Sequence, residues 1–521
     1  MQLKYQLFRN SASTLVQLFV GTVVGLIVPP VLIKYLGFDT YGIWALLIVV
    51  NTYAALLDLG FGSSLIKYIA EAHALGNTGR IVHLMNVSLT TYLAVYVVSL
   101  SLLFLFGKTL MHALLGASAQ RGDFLFIFNA YAVVALTALM TVPFSSLLRG
   151  LQRYDQSNMI EMVAALVSAV STVVLLVRGW KLEALVAGAG LALALRLVAY
   201  MGLTRRTYHL FKMRWEGLHR LKLTLGELFR LSPADQSVRV YGAIAQTIIR
   251  VSINVYAGVA YVGIYDVAKR VVSQVSGVST VVFVPLMPAV AALSAQKQHA
   301  KLRELLRRCY LYLCMAGLPI VFFMLCFYDP VLRAWLKVTD VGMISFAGRL
   351  LLLAIVIDIF TGPVTTSALG LGTANLHLLK MTLTTVLIVA LVWLLGSRFG
   401  FKGVIVAEFC AVTCGALAGL AIFQNWFAIP VGRMIVSSLW RTSLVGVPVW
   451  LVLSAIWWWS SDSGVWRNLA AWALMLVVGT LMTLGLYWLS GLVSSYEVRI
   501  AQNALFPSRI VNRLNEGSVN S

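Results

Sequence analysis

Charge is what this chain has least of. Only 11% of its 521 residues are charged, where a soluble domain carries about a quarter, and that shortage excludes a fold bathed in water on all sides. Acidic residues are the scarcest, 19 against 40 Lys and Arg. Cysteine is rare and odd in number: Cys309, Cys314, Cys326, Cys410 and Cys414 all sit in apolar stretches without metal-site spacing. They read as small core hydrophobes, so neither a disulfide framework nor a metal centre follows from them. None of the seven histidines makes an HExxH pair, and no P-loop or GxSxG turn occurs. The sequence therefore offers no motif for a metal, a nucleotide or another cofactor.

Apolar residues take the place of what is missing, at 60% of the chain. Windows of about 20 residues recur from end to end, each long enough to cross a hydrocarbon core of roughly 30 Å. They predict an all-α polytopic membrane protein with about 14 spans: 13–33, 41–61, 84–106, 124–147, 158–178, 183–203, 236–258, 263–287, 309–328, 344–366, 378–396, 403–424, 442–459 and 467–490. The first window is longer than a signal-peptide core and lacks a small-residue cleavage site, so it counts as a span. An even number puts both termini on one side. On that side fall 24 of the 40 basic residues, Lys380 among them, against 10 in the opposite loops. The positive-inside rule then places both termini in the cytoplasm. The net charge of +21 is accounted for by topology and attraction to anionic lipid, which leaves no case for nucleic acid.

Within the spans lies a repeat. Tyr35-Leu-Gly-Phe-Asp-Thr-Tyr-Gly-Ile43 aligns with Tyr256-Ala-Gly-Val-Ala-Tyr-Val-Gly-Ile264 at an offset of 221, and Gly179-Trp-Lys181 with Gly400-Phe-Lys402 at the same offset. Pro143…Gly150-Leu151 aligns with Pro363…Gly370-Leu371 at an offset of 220. Six spans per copy is an even number, which gives both copies the same orientation, the parallel type of transporter repeat. The expected organisation is an N-lobe (1–203), a basic connector (204–235) lying on the cytoplasmic membrane surface, a C-lobe (236–424), two further spans (425–498) and a cytoplasmic tail (499–521).

The charges that remain inside the spans are concentrated in the first hairpin of the second copy. Arg239, Gln246, Arg250 and Asn254 follow at intervals of 7, 4 and 4, one face of a helix. Asp266, Lys269 and Arg270 come next, the acid placed to pair with either base at i,i+3 or i,i+4. Ionisable groups at membrane depth are costly and mark functional sites by default.

Lys34-Tyr-Leu-Gly-Phe-Asp-Thr-Tyr-Gly42, Leu56-Leu-Asp-Leu-Gly-Phe-Gly62, Gly150-Leu-Gln-Arg-Tyr154, Gly263-Ile-Tyr-Asp-Val-Ala268 and Phe399-Gly-Phe-Lys-Gly-Val404 together resemble the polysaccharide-flippase (Wzx-like) branch of the multidrug/oligosaccharidyl-lipid/polysaccharide exporter superfamily. The likeness covers about residues 5–425. It implies two six-helix lobes in a V around a central cavity, often with two added C-terminal helices. The implied activity is transfer of an undecaprenyl-diphosphate-linked oligosaccharide across the inner membrane for O-antigen, exopolysaccharide or capsule. A polymerase and a chain-length regulator of the same pathway are possible partners, and the resemblance carries no defined catalytic set.

A lipid-diphosphate headgroup needs cations, and arginine's planar fork suits phosphate. Arg250, flanked by Gln246 and Asn254, is the first candidate, with a carboxylate-paired structural arginine as the alternative. Arg239 is a headgroup group or a snorkelling anchor. Lys269 and Arg270 are headgroup or ion-pair residues, and Arg196 lines a cavity or is paired. Gln17, in the stripe Asn10, Thr14, Gln17, Gly21 and Gly25, and Asn51 are polar lining candidates. Asp58, Asp358, Glu408 and Asp266 are candidates for carrying a coupling ion, or partners for buried bases. Pro29-Pro30 and Gly362-Pro363 are expected to interrupt their helices, and Trp457–Trp459, Trp466 and Trp472 to form an interfacial belt. Two rival readings remain. A cation-coupled drug exporter would have an acidic site, whereas these spans are richer in bases. A membrane-embedded polymerase or ligase would carry a large outer loop, and none here exceeds about 20 residues.

Overall fold

The computed structural model describes residues 2–116, 124–207, 226, 233–283, 286–371, 373, 375–460 and 469–492. Most of the predicted connector, Trp466 and the tail 499–521 lie outside the described residues. Among those described there is no strand, as a spanning chain requires: a helix satisfies its own N–H and C=O groups where no water can. The helices are α1 (Gln2–Leu56), α2 (Phe61–Ala74), α3 (Thr78–Leu115), α4 (Phe124–Thr137), α5 (Val142–Gly150), α6 (Tyr154–Val177), α7 (Leu182–Thr207), α8 (Pro233–Ala257), α9 (Val259–Phe283), α10 (Leu286–Ala295), α11 (His299–Leu336), α12 (Gly342–Ile359), α13 (Gly362–Gly370), α14 (Asn375–Leu391), α15 (Ser397–Phe427), α16 (Val431–Trp459) and α17 (Leu469–Leu489).

Ten described helical stretches are long and apolar enough to cross a membrane. Two of these, Ala12–Leu56 and Asn375–Phe427, each hold two spans, because Gly37 and Gly400 take non-helical backbone angles inside them. α8 and α9, 25 residues each, are long enough at about 1.5 Å per residue but carry the charged hairpin. Together they make up the 14 spans.

The repeat is written in the backbone as well as in the sequence. Gly37 and its counterpart Gly258 both have positive φ, 71° and 100°, as do Gly179 and Gly400, 90° and 57°; glycine is the residue that takes such angles without strain. α5 and α13 are both nine residues long with proline in the first turn, where its missing N–H costs nothing. Each short helix follows a break in the preceding span, a 3₁₀ turn at Ala138–Thr141 in one copy and the Phe360–Thr361 turn in the other. The expected interruption at Gly362-Pro363 is therefore present, one turn wide. The one at Pro29-Pro30 is not: α1 runs through both prolines and breaks at Gly37 instead.

The copies meet at their matching glycines. A Cβ placed on Gly42 would stand 1.9 Å from the Val259 carbonyl oxygen, and one on Gly263 would stand 2.8 Å from that of Phe38. Only a pair of glycines lets α1 and α9 approach so closely.

Contact density groups the described chain into two compact units. The first comprises Met1–Gln274, Gly342–Asp358 and Thr373–Gly419. One of its cores is built from Leu65, Ile69, Phe144, Leu147, Leu148 and Tyr200. Here α6 and α7 pack tightly, since a Cβ on Gly188 would meet Thr172 Oγ1 at 2.2 Å. In the α1 stripe, Asn10 Nδ2 donates to the Gln152 carbonyl at 3.0 Å, and Asn158 Nδ2 donates to Ser13 Oγ and Thr14 Oγ1, both at 3.0 Å. That end of the stripe serves helix packing, while Gly21 and Gly25 face open space.

The second unit comprises Val275–Val341, Ile359–Gly372 and Leu420–Ser521. Its core gathers Phe323, Phe327, Trp450, Trp472 and Met475. Trp472 is only 2% exposed, and Trp457 packs tilted against it at 6.1 Å and edge-on against Phe327 at 5.9 Å. These two indoles belong to the core rather than to an interfacial belt. Trp458 and Trp459, by contrast, are exposed. Edge-on aromatic packing between α11, α16 and α17 outweighs the amphipathic preference of tryptophan for an interface.

Candidate functional site

The charged hairpin α8–α9 forms one connected network within the first unit. Asp266, 5% exposed, sits one turn beyond the Gly263 crossing and has three partners from three helices. Its Oδ2 accepts from Tyr41 Oη of α1 at 2.7 Å and from Arg270 Nε of α9 at 2.8 Å. Its Oδ1 accepts from an Arg250 terminal nitrogen of α8 at the long distance of 3.5 Å. Arg250 also donates to Gln246 Oε1 at 3.1 Å and lies over the Tyr265 ring, 5.9 Å from its centre. Its side chain is 13% exposed, yet its Nε has no hydrogen-bond partner among the described residues.

Lys269 turns away from Asp266 and reaches Glu408 Oε1 of α15 at 2.5 Å. Tyr265 Oη donates to that same oxygen at 3.2 Å, and the lysine ammonium stands 5.7 Å from the Tyr265 ring centre. Glu408 is 2% exposed, and its Oε2 accepts no hydrogen bond from the described residues. The network thus sets three partly buried cations, Arg250, Lys269 and Arg270, against the buried carboxylates of Asp266 and Glu408.

Not every predicted residue joins this network. Asn254 Nδ2 donates to the Leu115 carbonyl at 3.0 Å, tying α8 to the end of α3. Arg239 is exposed and lies about 16 Å along α8 from Arg250 by helix rise. Gln17 is half-buried and Asn51 exposed, with no side-chain hydrogen bond to the network. Arg196 stands beside Glu161, Nε to Oε2 at 3.0 Å, off the axis of a good hydrogen bond. Tyr200 Oη donates to the other Glu161 oxygen at 3.0 Å. Arg196 is thus a paired residue of the α6–α7 core.

The remaining acids have defined local roles. Asp58 Oδ1 accepts from Gly62 N at 3.1 Å, capping α2, and also from Tyr92 Oη. Asp358 holds Lys380 Nζ at 2.5 Å. Lys380, expected among the cytoplasmic loop bases, is instead a buried residue of α14, 5% exposed. Its stem lies along Gly419, whose Cβ position is 3.5 Å from Lys380 Cδ.

Sequence reasoning missed three tyrosines of these networks, Tyr41, Tyr92 and Tyr265. A signal existed for one of them: Tyr41 occupies a repeat position where the second copy has Val262. Among the described residues no His, Cys, Asp and Glu group has the make-up of a metal site.

Fourteen spans, twelve of them in two matched copies and a charged hairpin in one copy, define a multi-pass membrane protein of transporter fold. The lipid II flippase MurJ in an inward closed conformation superposes with a TM-score of 0.67 at 12% identity, over 93% of this chain and 99% of that one. An inward-facing multidrug resistance MATE family transporter of the MOP superfamily gives 0.62 at 15% identity, over 82% and 98%. The Vibrio cholerae MATE transporter VcmN gives 0.56 at 13% identity, over 82% and 97%. By sequence, residues 7–294 match the polysaccharide biosynthesis protein family, and the chain belongs to that family. No curated protein matches the chain by sequence.

Proposed function

We propose that this protein is a flippase. It carries an undecaprenyl-diphosphate-linked oligosaccharide from the cytoplasmic to the periplasmic leaflet of the inner membrane for surface polysaccharide synthesis, by alternating access of residues 1–203 and 236–424. Both termini are cytoplasmic in this reading, and the substrate crosses without chemical change. A polymerase and a chain-length regulator would use the delivered product.

The observation that carries the proposal is Arg250. A largely enclosed guanidinium, 13% exposed, that holds its carboxylate only at 3.5 Å and leaves Nε unpartnered among the described residues retains capacity for a better anion. Phosphate oxygens fit its fork in pairs. Arg270 and Lys269, in the same network, extend the cationic surface available to a diphosphate. The basic surplus argues against the rival reading as an exporter of cationic drugs, although that reading shares the fold.

Of the four coupling candidates, Glu408 is favoured by its unpartnered Oε2. Asp58 is committed to a helix cap and a tyrosine, Asp358 to Lys380, and Asp266 to two arginines.

The test is complementation of a flippase-null strain. Arg250→Ala should abolish polymer production while the protein still inserts, and Arg250→Lys, which keeps the charge but loses the fork, should restore it only in part. Normal polymer from Arg250→Ala would overturn the headgroup assignment.

A further inference from the structure

Asp266 does two things at once that a flippase has reason to couple. It neutralises Arg250 and Arg270, and through Tyr41 it joins the first copy of the repeat to the second. Tyr41 is fully buried, and its hydroxyl bridges Asp266 Oδ2 at 2.7 Å and Arg270 Nε at 3.2 Å. The next residue, Gly42, is the point of closest approach to Val259 and Gly263. The crossing and the charged network are therefore one continuous assembly, with Asp266 at its centre.

We infer that Asp266 is a built-in counter-anion that the substrate's diphosphate displaces from Arg250 and Arg270, and that this exchange releases the Tyr41 contact at the Gly42–Gly263 crossing. The inference rests on the headgroup reading of Arg250.

Three observations make the exchange favourable. Arg250 holds Asp266 only at 3.5 Å and leaves its Nε unpartnered, so trading one carboxylate oxygen for phosphate oxygens gains hydrogen bonds. Arg270 engages Asp266 and Tyr41 through Nε alone, and its side chain is 32% exposed. Its terminal nitrogens, which make no hydrogen bond among the described residues, are open to an incoming anion. Lastly, once both guanidiniums turn to phosphate, Asp266 would be a buried carboxylate without a cation, which is costly. It must then move or take up a proton, and either change removes the charged acceptor that fixes Tyr41. A ligand shifts a two-state element only through its different affinity for the two states; here that difference is the presence or absence of Asp266 on the arginines.

Asp266 is in this sense a positioning residue, and the prediction has a sign that a structural role would not give. The purified protein in lipid nanodiscs is titrated with a long-chain polyprenyl diphosphate, and backbone hydrogen exchange is followed over 35–45 and 256–268. The wild type should bind the probe and exchange faster in both segments when it is bound. Asp266→Asn removes the internal competitor and should bind the probe about tenfold more tightly, whereas Asp266→Glu, which restores the charge, should bind like the wild type. Tyr41→Phe deletes only the bridging hydroxyl and should speed exchange at the crossing without the probe, which keeps the test open if Asp266→Asn folds poorly. Binding by Asp266→Asn that equals or falls below wild type overturns the exchange. So does an unchanged crossing in a wild-type protein that binds the probe, and that result leaves the headgroup reading standing. Failure of the wild type to bind the diphosphate at all overturns the headgroup reading and the exchange with it.

Discussion

Adding one methyl group at Gly42 is a stringent test of the contact between the repeats. The alanine Cβ would lie 1.9 Å from the Val259 carbonyl oxygen, 2.8 Å from its carbon and 3.2 Å from Gly263 N. All three are backbone atoms, so no rotamer change can relieve the clash. An ordinary C···O contact is about 3.4 Å, so α1 and α9 would have to part by about 1.5 Å. A gap of even 0.5–1 Å forfeits about a quarter to a half of each dispersion contact, and overpacking of this kind costs about 1–3 kcal/mol. Alanine recovers about 1 kcal/mol of helix propensity, which leaves a net loss of roughly 0–2 kcal/mol. The internal control is Gly21→Ala, on the same helix with nothing within 4 Å of its Cβ position; it should be neutral or stabilising by up to about 1 kcal/mol. Thermal unfolding of the detergent-solubilised protein reads the difference, with Gly42→Ala several degrees below Gly21→Ala. A Gly42→Ala Tm at or above that of Gly21→Ala would refute the close crossing.

Asp358→Asn takes a charged partner from the buried Lys380 and should cost about 2 kcal/mol, and Asp358→Asn with Lys380→Met should recover most of it. If protons drive transport, Glu408→Gln should abolish uptake into everted vesicles under an imposed proton gradient, while Asp58→Asn retains it; gradient-driven uptake by Glu408→Gln would remove Glu408 from that role. In intact cells opened only at the outer membrane, an impermeant maleimide should label Ser118→Cys and spare Trp215→Cys, and the reverse pattern would invert the topology.

Much of the fold was legible because its signals are local. Apolar windows mark the spans, and glycine or proline marks the breaks that the two copies share: Gly37, Gly258, Gly179 and Gly400 take backbone angles that side chains disfavour, and Pro143 and Pro363 open matching short helices. The Pro29-Pro30 interruption failed because a spanning helix can absorb prolines and α1 bends where glycine makes bending easy. The site was legible only in part. Spacing limits Asp266 to Lys269 or Arg270 as an intrahelical partner, but the choice of Arg270 depends on Glu408, 139 residues away. Likewise Trp472 carries the same local signal whether it meets lipid or Phe327. Partners distant in sequence leave no periodicity to read, and Lys380, Tyr41 and Tyr265 were all misassigned or missed for that reason.

The repeat also separates scaffold from function. Counting back 221 positions, Arg250, Asp266, Lys269, Arg270 and Glu408 correspond to Pro29, Ala45, Ile48, Val49 and Ala187, and Tyr265 corresponds to Trp44. Every charged member of the network thus faces an uncharged counterpart, while the glycines that break and cross the helices are kept in both copies. Trp44 instead packs edge-on against Tyr131 at 4.8 Å, an apolar use of the position that Tyr265 gives to two cations. A network that merely held two similar halves together could have been shared between them, as the glycine crossing is. One that sits in a single copy, carries three cations to two carboxylates and is hydrogen-bonded to the other copy through Tyr41 is better matched to a ligand that is itself asymmetric and anionic. A lipid diphosphate with a sugar chain on one end has both properties.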